Sequence, residues 1–451
     1  MRLFRAAAAG TLCAALAAGS ALGQGLLRDE EIEHMLRVYA DPIFVAAELE
    51  PHAVTIYLVG DPTMNAFVAG GQNIFIHTGI IVEAEEPIEL KGVLAHETGH
   101  ITGAHLARSG DLSRAAMGPF LATMAAGLAA AVAGHGDAAA SLLMQSQYFG
   151  TLAAFTYSRG QEARADLAAV QFLEDSRQST RGLIAFFDRF REQELFSEQR
   201  RYPYFRTHPM SSDRVSVLRE RLEQQVYKDV VDPPEHILML ERAKAKIRGF
   251  LDNPQTTFRR LPETDQSTEA IYARSIAHYR AGSLGLAIEG IDELISREPE
   301  NPYFWELKGQ VFYEHGQPAS AIAPYERAVE LMPGSALFKI GLAQSLVDIE
   351  DDSRLPQAMS LLVAALAIEP GNPGAWYHRS RIHERRGERA LALLSTAERH
   401  YYSGDVRRSY QFASRARDDL ERGSPEWIRA TDIVSTIAAA NNIDPGEIGD
   451  D

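Results

Sequence analysis

The stretch His96-Glu97-Thr98-Gly99-His100 decides how the first half of this 451-residue chain folds and what it can do. On a helix, residues four positions apart lie above one another, so the two histidines can hold one metal ion from the same side. The carboxylate after the first histidine is placed to act as a base toward an attacking water. The pattern therefore predicts a catalytic Zn²⁺ site. The alternative is a surface helix with two unrelated histidines, because short patterns also arise by chance.

A catalytic zinc usually takes three protein ligands, and the third can come from two places. Nearby, Gly103 fits the metzincin pattern, but Leu106 stands where that pattern has histidine, and His105 lies off the metal-facing side of a continuing helix. Further along, Glu162 and Asp166 are four residues apart and share one face of a predicted helix. We favour this second source, with the glutamate on the metal and the aspartate accepting the free ring N–H of a ligand histidine. A solvated charged face is the alternative.

Together the two motifs resemble those of the gluzincin metallopeptidases related to HtpX and the CAAX prenyl protease. These enzymes combine H-E-x-x-H with a later S-R-x-x-E-x-x-A-D sequence, and residues 158–166 match the second motif in full. The resemblance extends over roughly residues 30–225. It implies an α+β fold, mostly α, in which a zincin-like metalloprotease domain contains a small sheet.

The resemblance implies a role for each residue of the site. One Zn²⁺ per chain would be bound by His96, His100 and Glu162, and Asp166 would orient one of the histidines. Glu97 would take a proton from the attacking water and deliver it to the leaving amine. The implied reaction is cleavage inside a protein chain, with zinc polarising the scissile carbonyl.

His208 precedes a proline, which restricts it to an extended backbone and therefore to a loop. It can pack locally, or it can donate a hydrogen bond to the oxyanion that forms during peptide cleavage. The segment 207–209, with Arg214, resembles a soluble, periplasmic subgroup of the same family. That resemblance implies a third role, in which His208 is a fourth zinc ligand that displaces the catalytic water and keeps the enzyme inhibited.

Charge and the N-terminal sequence restrict the partners and the compartment. A formal net charge of −16 repels phosphate backbones, so we expect no nucleic-acid partner. Residues 1–23 have the pattern of a cleavable secretory signal, because Arg2 and Arg5 precede an uncharged, alanine-rich stretch and small residues lie before Gln24. The only cysteine, Cys13, lies within this signal and lacks a lipoprotein pattern. We expect a periplasmic protein, and an uncleaved signal anchor is the alternative.

Within the predicted peptidase domain, residues 24–230, short apolar runs at 56–59 and 74–77 predict strands. The glycine-rich turn at 70–73 predicts a hairpin, and an extended substrate can add to an edge strand there. Residues 115–158 carry almost no charge, but their alanine, glycine and proline content argues against a membrane span. We expect buried helices or peripheral membrane contact in that segment.

A second pattern follows residue 267, where glycine, alanine and proline recur. The spacing is 34 residues, and it becomes 37 where an insertion lies around residues 350–355. Glycine at a helix turn, alanine at a tight crossing and proline at a helix end are typical of tetratricopeptide repeats. Stacked repeats form a concave surface suited to peptides or partner proteins. The residues that carry the period are Gly282, Ala287, Pro299, Gly316, Ala321, Pro333, Ala358, Pro370, Gly387 and Ala392.

The remaining boundaries follow from these two patterns. Residues 231–267 are predicted to link the domains through a helix, with a polar segment at 253–266. The repeats are predicted to form an all-α solenoid over 268–440 that closes with a helix pair or a capping helix. A flexible tail is predicted at 441–451.

These features predict a periplasmic zinc endopeptidase with a repeat domain and, as a second property, chaperone-like binding. By the family resemblance, its substrates would be misfolded or unassembled envelope and outer-membrane proteins held by the repeats. The outer-membrane assembly machinery is a further predicted partner of the repeats. The competing function is a non-proteolytic chaperone or adaptor with a silent zinc site. A membrane-embedded prenyl protease is excluded because no convincing set of membrane spans exists.

Overall fold

The computed structural model describes residues 25–103, 159–196, 208, 212–349 and 351–441. The predicted signal peptide, the segment predicted to contact membranes and the tail after the last helix lie outside these residues. Among the helices within the described ranges, none is long and apolar enough to cross a membrane.

Internal contacts divide the described chain into two compact units. The first unit contains Glu33–Leu240 together with the described residues up to Arg28. The second unit contains Asp29–Ile32 and the described residues from Glu241 onward.

The first unit combines a small sheet with helices, which confirms the predicted α+β class. Its strands are β1 (Leu26–Leu27), β2 (Thr55–Val59), β3 (Ala66–Ala69) and β4 (Asn73–His77). Its helices are α1 (Glu30–Ala46, whose first three residues belong to the second unit), α2 (Thr78–Glu83), α3 (Pro87–Thr102), α4 (Arg159–Asp175), α5 (Arg181–Phe196), α6 (Ser212–Gln224) and the first part of α7 (Pro234–Leu251).

The sheet has the order β1, β2, β4, β3, so that β3 lies at one edge. Strands β2 and β4 are parallel, whereas β3 and β4 form an antiparallel hairpin with Phe67 opposite Phe75. The turn between them passes through Gly70 and Gly71 at φ of 63° and 102°, a backbone region that glycine enters without steric cost. Both predicted strands and the predicted hairpin are confirmed.

Helix α3 carries the H-E-x-x-H motif and is buried over all but its last turn. A Cβ atom on Gly92 would come within 2.6 Å of the Leu183 backbone nitrogen, and one on Gly99 within 2.7 Å of the Ala165 carbonyl oxygen. Both distances are far below van der Waals contact, so only glycine lets α5 and α4 cross α3 this closely. The crossing at Gly99, inside the motif, brings the first turn of α4 beside the histidines.

The second unit is a stack of paired helices, as tetratricopeptide repeats require. The turn glycines Gly282, Gly316 and Gly387 have φ between 72° and 76°, which favours glycine over any residue with a side chain. After the second part of α7, the helices are α8 (Pro254–Arg260), α9 (Thr268–Arg280), α10 (Leu284–Arg297), α11 (Pro302–Glu314), α12 (Pro318–Leu331), α13 (Ala336–Asp348), α14 (Leu355–Ile368), α15 (Pro373–Arg385), α16 (Arg389–Tyr402), α17 (Val406–Asp419) and α18 (Pro425–Asn441).

One expectation for this unit is wrong. The predicted polar segment 253–266 contains helix α8. The side-chain oxygen of Asn253 accepts a hydrogen bond from the Gln255 backbone N–H at 3.0 Å, and Pro254 occupies the first helical position. An asparagine cap followed by proline is a strong helix start, and it outweighs the polar composition of the segment. Helices α17 and α18 end the solenoid as a helix pair, which is one of the two predicted alternatives for its closing element.

A buried ionic cluster lies within the second unit. Lys246 is 2% exposed, and its Nζ atom lies 2.7 Å from Asp29, 3.5 Å from Glu31 and 3.8 Å from Glu306. The Tyr272 hydroxyl donates to Glu31 at 2.8 Å. Burial raises the pKa of Glu306 to about 7, with the two other carboxylates adding to the shift and the lysine opposing it. The single positive charge of Lys246 therefore faces three carboxylates, and Glu306 is still partly protonated near neutral pH.

We expect Glu306→Gln to stabilise the second unit at pH 8. Because the folded pKa of about 7 exceeds the ordinary value of 4.5, the unfolded chain releases this proton first as the pH rises. The wild type therefore loses stability between pH 4.5 and 7, by at most ~3 kcal/mol, and the 19% exposure of the side chain reduces that loss. All three tryptophans lie in this unit, so urea unfolding followed by tryptophan fluorescence at pH 5 and pH 8 measures the effect.

Glu384→Gln on α15 is the matched control, because Glu384 is exposed. Its unfolding free energy is expected to follow the wild type at both pH values. If Glu306→Gln and the wild type were equally stable at pH 8, Glu306 would not carry the proton that the cluster predicts.

Candidate metal centre

Four buried side chains from separate parts of the first unit meet at one point. Helix α3 contributes His96 and His100, the first turn of α4 contributes Glu162, and His208 precedes α6. All four are 0% exposed, and one ligand atom from each lies within 4.8 Å of the others. Imidazole nitrogens and a carboxylate oxygen are the ligands that catalytic zinc prefers. The structure therefore brings together the ligand residues that the two motifs predict.

The distances between neighbouring ligand atoms are close to those expected around one zinc ion. Zinc–nitrogen bonds of about 2.05 Å place two ligands of one tetrahedral ion about 3.4 Å apart. His96 Nε2 lies 3.1 Å from His100 Nε2 and 3.3 Å from His208 Nδ1. Glu162 Oε2 lies 3.4 Å from His96 Nε2, and its Oε1 lies 3.4 Å from His100 Nε2 and 3.3 Å from His208 Nδ1. The four side chains thus fit one metal ion at their centre.

The other ring nitrogen of His96 faces a carboxylate, which a guanidinium holds in turn. His96 Nδ1 lies 2.9 Å from Asp166 Oδ1, and Arg214 donates to both oxygens of Asp166 at 2.6 and 2.8 Å. Arg214 also lies 3.0 Å from Glu162 Oε2 and stacks over the ring of Phe187. A proton on Nδ1, beside the Asp166 carboxylate, leaves the Nε2 lone pair of the neutral ring facing the other ligand atoms. Asp166 thus occupies the orienting position proposed for it from the sequence.

Glu97 lies beside this cluster and is fully buried. Neither of its carboxylate oxygens accepts a hydrogen bond from the described part of the chain, although His208 Nε2 lies 3.5 Å from Oε1. Burial raises the pKa of Glu97 above its ordinary value of 4.5, with positive charge on His208 and His96 opposing the shift. A carboxylate with a raised pKa and unused acceptor positions can take a proton and return it, which suits a general base.

The charges of the cluster favour a bound cation. Burial opposes ionisation of Glu162, but the three histidines hold its pKa far below the ordinary value. Burial lowers the pKa of His100 to about 3. At His96 burial acts in the same direction, but hydrogen bonds to Asp166 and Glu162 outweigh it and raise the pKa to about 9. The imidazoles compete for one buried carboxylate, an arrangement that favours a divalent cation among them.

His208 is the fourth side chain of the site, with Nδ1 3.3 Å from both His96 and Glu162. Its Nε2 atom lies 3.2 Å from the carbonyl oxygen of Ala66 on the edge strand β3. A carbonyl oxygen only accepts, so Nε2 carries a proton, and in the neutral imidazole the Nδ1 lone pair then faces His96 and Glu162 at 3.3 Å. This tautomer suits a metal ligand. Of the three roles considered for His208, the geometry supports the fourth ligand.

Sequence reasoning assigned no role to Arg214. It entered only as part of a resemblance, because local spacing does not connect it with Asp166, 48 residues away. The bridge that its guanidinium makes between Asp166 and Glu162 becomes visible only when α4 and α6 are packed. The alternative third ligand, His105, lies outside the described residues.

Residues 26–222, which include every residue of this site, match peptidase family M48. This part of the chain is an M48 metallopeptidase domain. The predicted enzyme class and the predicted family resemblance are therefore confirmed. The M48 domain supplies both histidines of the first motif and the glutamate of the second, and the family implies a metal at this centre.

Two curated relatives align well beyond the M48 domain. The β-barrel assembly-enhancing protease of Yersinia pestis is 25% identical over 407 residues, covering 85% of this chain and 79% of the relative. The protein of the same name from Escherichia coli strain K12 is 23% identical over 386 residues, covering 83% and 76%. A solved structure, YrrB, a TPR protein with an unusual peptide-binding site, covers 50% of this chain and 96% of its own at 17% identity and a TM-score of 0.29.

Proposed function

We propose that the protein is a periplasmic zinc endopeptidase, held latent by His208, that acts on misfolded or unassembled envelope proteins. The observation that carries the proposal is the buried group of three histidines and a glutamate, whose ligand atoms lie within 4.8 Å of one another, beside the buried carboxylate of Glu97. Two histidines and a glutamate make a catalytic zinc site, and a neighbouring base makes it hydrolytic. Catalytic zinc keeps one position open for water, so a fourth protein ligand indicates a resting state.

Each side chain of the site has a separate role in the proposed peptide cleavage. When bound, Zn²⁺ polarises the scissile carbonyl and acidifies the attacking water. Glu97 takes the proton of that water and passes it to the nitrogen of the leaving amine. Asp166 keeps His96 in the tautomer whose Nε2 lone pair faces the site. Arg214 fixes Asp166 and, through its contact with Glu162, holds that carboxylate in one orientation.

The edge strand β3 offers a surface for substrate. An extended peptide can add to an unpaired sheet edge through main-chain hydrogen bonds, which depend little on side-chain identity. The carbonyl oxygen of Ala66 on that strand contacts His208 Nε2. A substrate strand that takes over this carbonyl removes the hydrogen bond that holds His208 at the metal site. Substrate and His208 therefore compete, and this competition is a route out of the latent state.

The repeats and the N-terminal sequence support the proposed substrates and compartment. Relatives that align over 83% and 85% of this chain are named β-barrel assembly-enhancing proteases. We extend that name to stalled outer-membrane proteins as substrates and to the outer-membrane assembly machinery as a partner. The concave surface of stacked repeats suits the holding of such chains. Residues 1–23 would direct the protein to the periplasm and be removed.

We expect the His208→Ala protein to bind about one zinc ion per chain and to cleave casein at least about tenfold faster than the wild type. Three ligands remain, and removal of the fourth opens a position for water. A tenfold gain corresponds to ~1.4 kcal/mol in favour of the closed site in the wild type. The measurement is metal content and labelled-casein cleavage of residues 24–451, variant and wild type side by side.

His52→Ala is the matched control, because His52 is an exposed histidine of the same unit. It is expected to change neither zinc content nor cleavage. A collapse of zinc content in His208→Ala would show that His208 is needed to hold the metal and would reject the latency proposal. Zinc without cleavage in both proteins would favour the alternative function, a repeat-based chaperone or adaptor with a silent zinc site.

A further inference from the structure

We propose that Asp232, which lies beyond the residues matched to family M48, positions the catalytic helix α3 and with it His96 and Glu97. The last matched residue is 222, and sequence patterns place Asp232 in the segment predicted to link the domains. In the structure it belongs to the first unit. The inference rests on the proposed function, because it concerns the rate at the same site.

Both carboxylate oxygens of Asp232 bind the first turn of α3. Oδ2 accepts the backbone N–H of Ile88 at 2.7 Å, and Oδ1 accepts a hydrogen bond from Lys91 Nζ at 2.5 Å. The residue at the local N-cap position, Glu86, makes no capping hydrogen bond with its side chain. The first N–H groups of a helix lack partners within the helix, and a negative charge there also meets the positive end of the helix dipole. Asp232 therefore caps α3 from 144 residues away.

Asp232, Lys91 and the Ile88 N–H together form an anchor for the start of α3. Lys91 connects this anchor to two further helices of the first unit. Its side chain is nearly buried, and Nζ also donates to His236 Nδ1 on α7 at 2.9 Å. Nζ lies 5.3 Å from the ring centre of Tyr39 on α1, and the Tyr39 hydroxyl donates to the His236 carbonyl oxygen at 2.5 Å. The ion pair between Lys91 and Asp232 is thus the point at which α3 is joined to α1 and α7.

One side of this end of α3 faces a pocket of about 210 Å³, lined in part by Ile88, Lys91, Asp232 and His236. Elsewhere the first turn packs closely against α5, where a Cβ atom on Gly182 would come within 2.2 Å of the Ile88 carbonyl oxygen. The hydrogen bonds of Asp232 therefore fix the first turn on the side that faces the pocket.

A shift of the first turn reaches the metal site, because α3 is a continuous helix. Lys91 and His96 are five residues apart, which is about 7.5 Å along the helix axis. A displacement of about 1 Å at a catalytic group can cost on the order of 100-fold in rate. Loss of Asp232 is therefore expected to slow the chemical step more than it weakens substrate binding.

The test compares Asp232→Ala and Asp232→Asn in the full chain, each combined with His208→Ala so that latency does not mask the rate. For Asp232→Ala we expect kcat on casein to fall about ten- to a hundredfold, with KM within about twofold and zinc near one per chain. Hydrogen–deuterium exchange of peptides covering α3 is expected to accelerate, while exchange in α4 stays unchanged. Asp232→Asn, whose amide oxygen can still accept the Ile88 N–H, is expected to recover part of the rate.

Asp188→Asn is the matched control, because Asp188 on α5 pairs with Arg219 and does not contact the anchor. If both Asp232 variants keep the kcat and the α3 exchange of their parent, the proposal is overturned. It is also overturned if melting temperature falls while kcat per zinc-loaded chain stays constant. Asp232→Asn decides the question if Asp232→Ala does not fold. If the His208→Ala parent binds zinc and cleaves nothing, the proposed function fails, and α3 exchange alone decides the role of Asp232.

Discussion

The Glu97→Gln protein is expected to bind about one zinc ion per chain while its peptide cleavage falls by about 10²- to 10⁴-fold. The amide keeps the size of the side chain but cannot take a proton from water. Glu97 accepts no hydrogen bond within the described part of the chain, so the substitution breaks none there and the fold is expected to persist. Zinc analysis and casein cleavage, both in the His208→Ala background, measure the two properties on one protein.

Glu220→Gln on α6 is the matched control, because Glu220 is exposed in the same unit, and it is expected to cleave like its parent. Cleavage retained in Glu97→Gln would reject Glu97 as the base. Loss of zinc from the Glu97→Gln protein would instead indicate that Glu97 takes part in metal binding. In cells, an enzyme depends on Glu97, whereas an adaptor keeps its role in the Glu97→Gln protein, so complementation separates the two functions.

The second large effect is expected at Glu162. Glu162→Gln is expected to weaken zinc binding by more than about 100-fold, beyond the range seen when residues that only orient a ligand are replaced, and to abolish cleavage. The change removes the only charged ligand and leaves a neutral amide facing Arg214, whose Nη1 lies 3.0 Å from Oε2 in the wild type. Competition with a chelator of known zinc affinity measures the loss.

Asp166→Asn provides the graded comparison for this prediction. Asp166 offers no ligand atom and acts on the metal site through His96 and, by way of Arg214, through Glu162, so zinc affinity is expected to fall by about 10- to 100-fold and less than in Glu162→Gln. If Glu162→Gln bound zinc as tightly as the wild type, the assignment of two histidines and a glutamate would be wrong. The three histidines would then form the metal site by themselves.

Local spacing along the sequence was sufficient to predict the parts of the site that lie on single helices. His96 and His100 share a face of α3, and Glu162 and Asp166 share a face of α4, because a separation of four residues has the same geometry on every helix. The structure places all four as that spacing requires. The repeats were predictable for a related reason, since each turn glycine and crossing alanine acts within its own helix pair.

Composition was less reliable than specific start signals. The segment 253–266 is polar, and on that basis it was predicted to be a linker, yet Asn253 and Pro254 begin a helix there. Predictions that concern the signal peptide and residues 115–158 stay predictions, because these segments lie outside the described ranges.

The sequence by itself determined the metallopeptidase motif, the carboxylate motif and the repeat architecture, because each is a short-range pattern on a regular helix. Only the tertiary structure decided that His208 faces the metal ligands, that Arg214 bridges two carboxylates and that Asp232 caps α3. Each of these contacts joins residues between 46 and 144 positions apart. Such contacts follow from how helices pack and where loops run, and neither has a period that can be read along the chain.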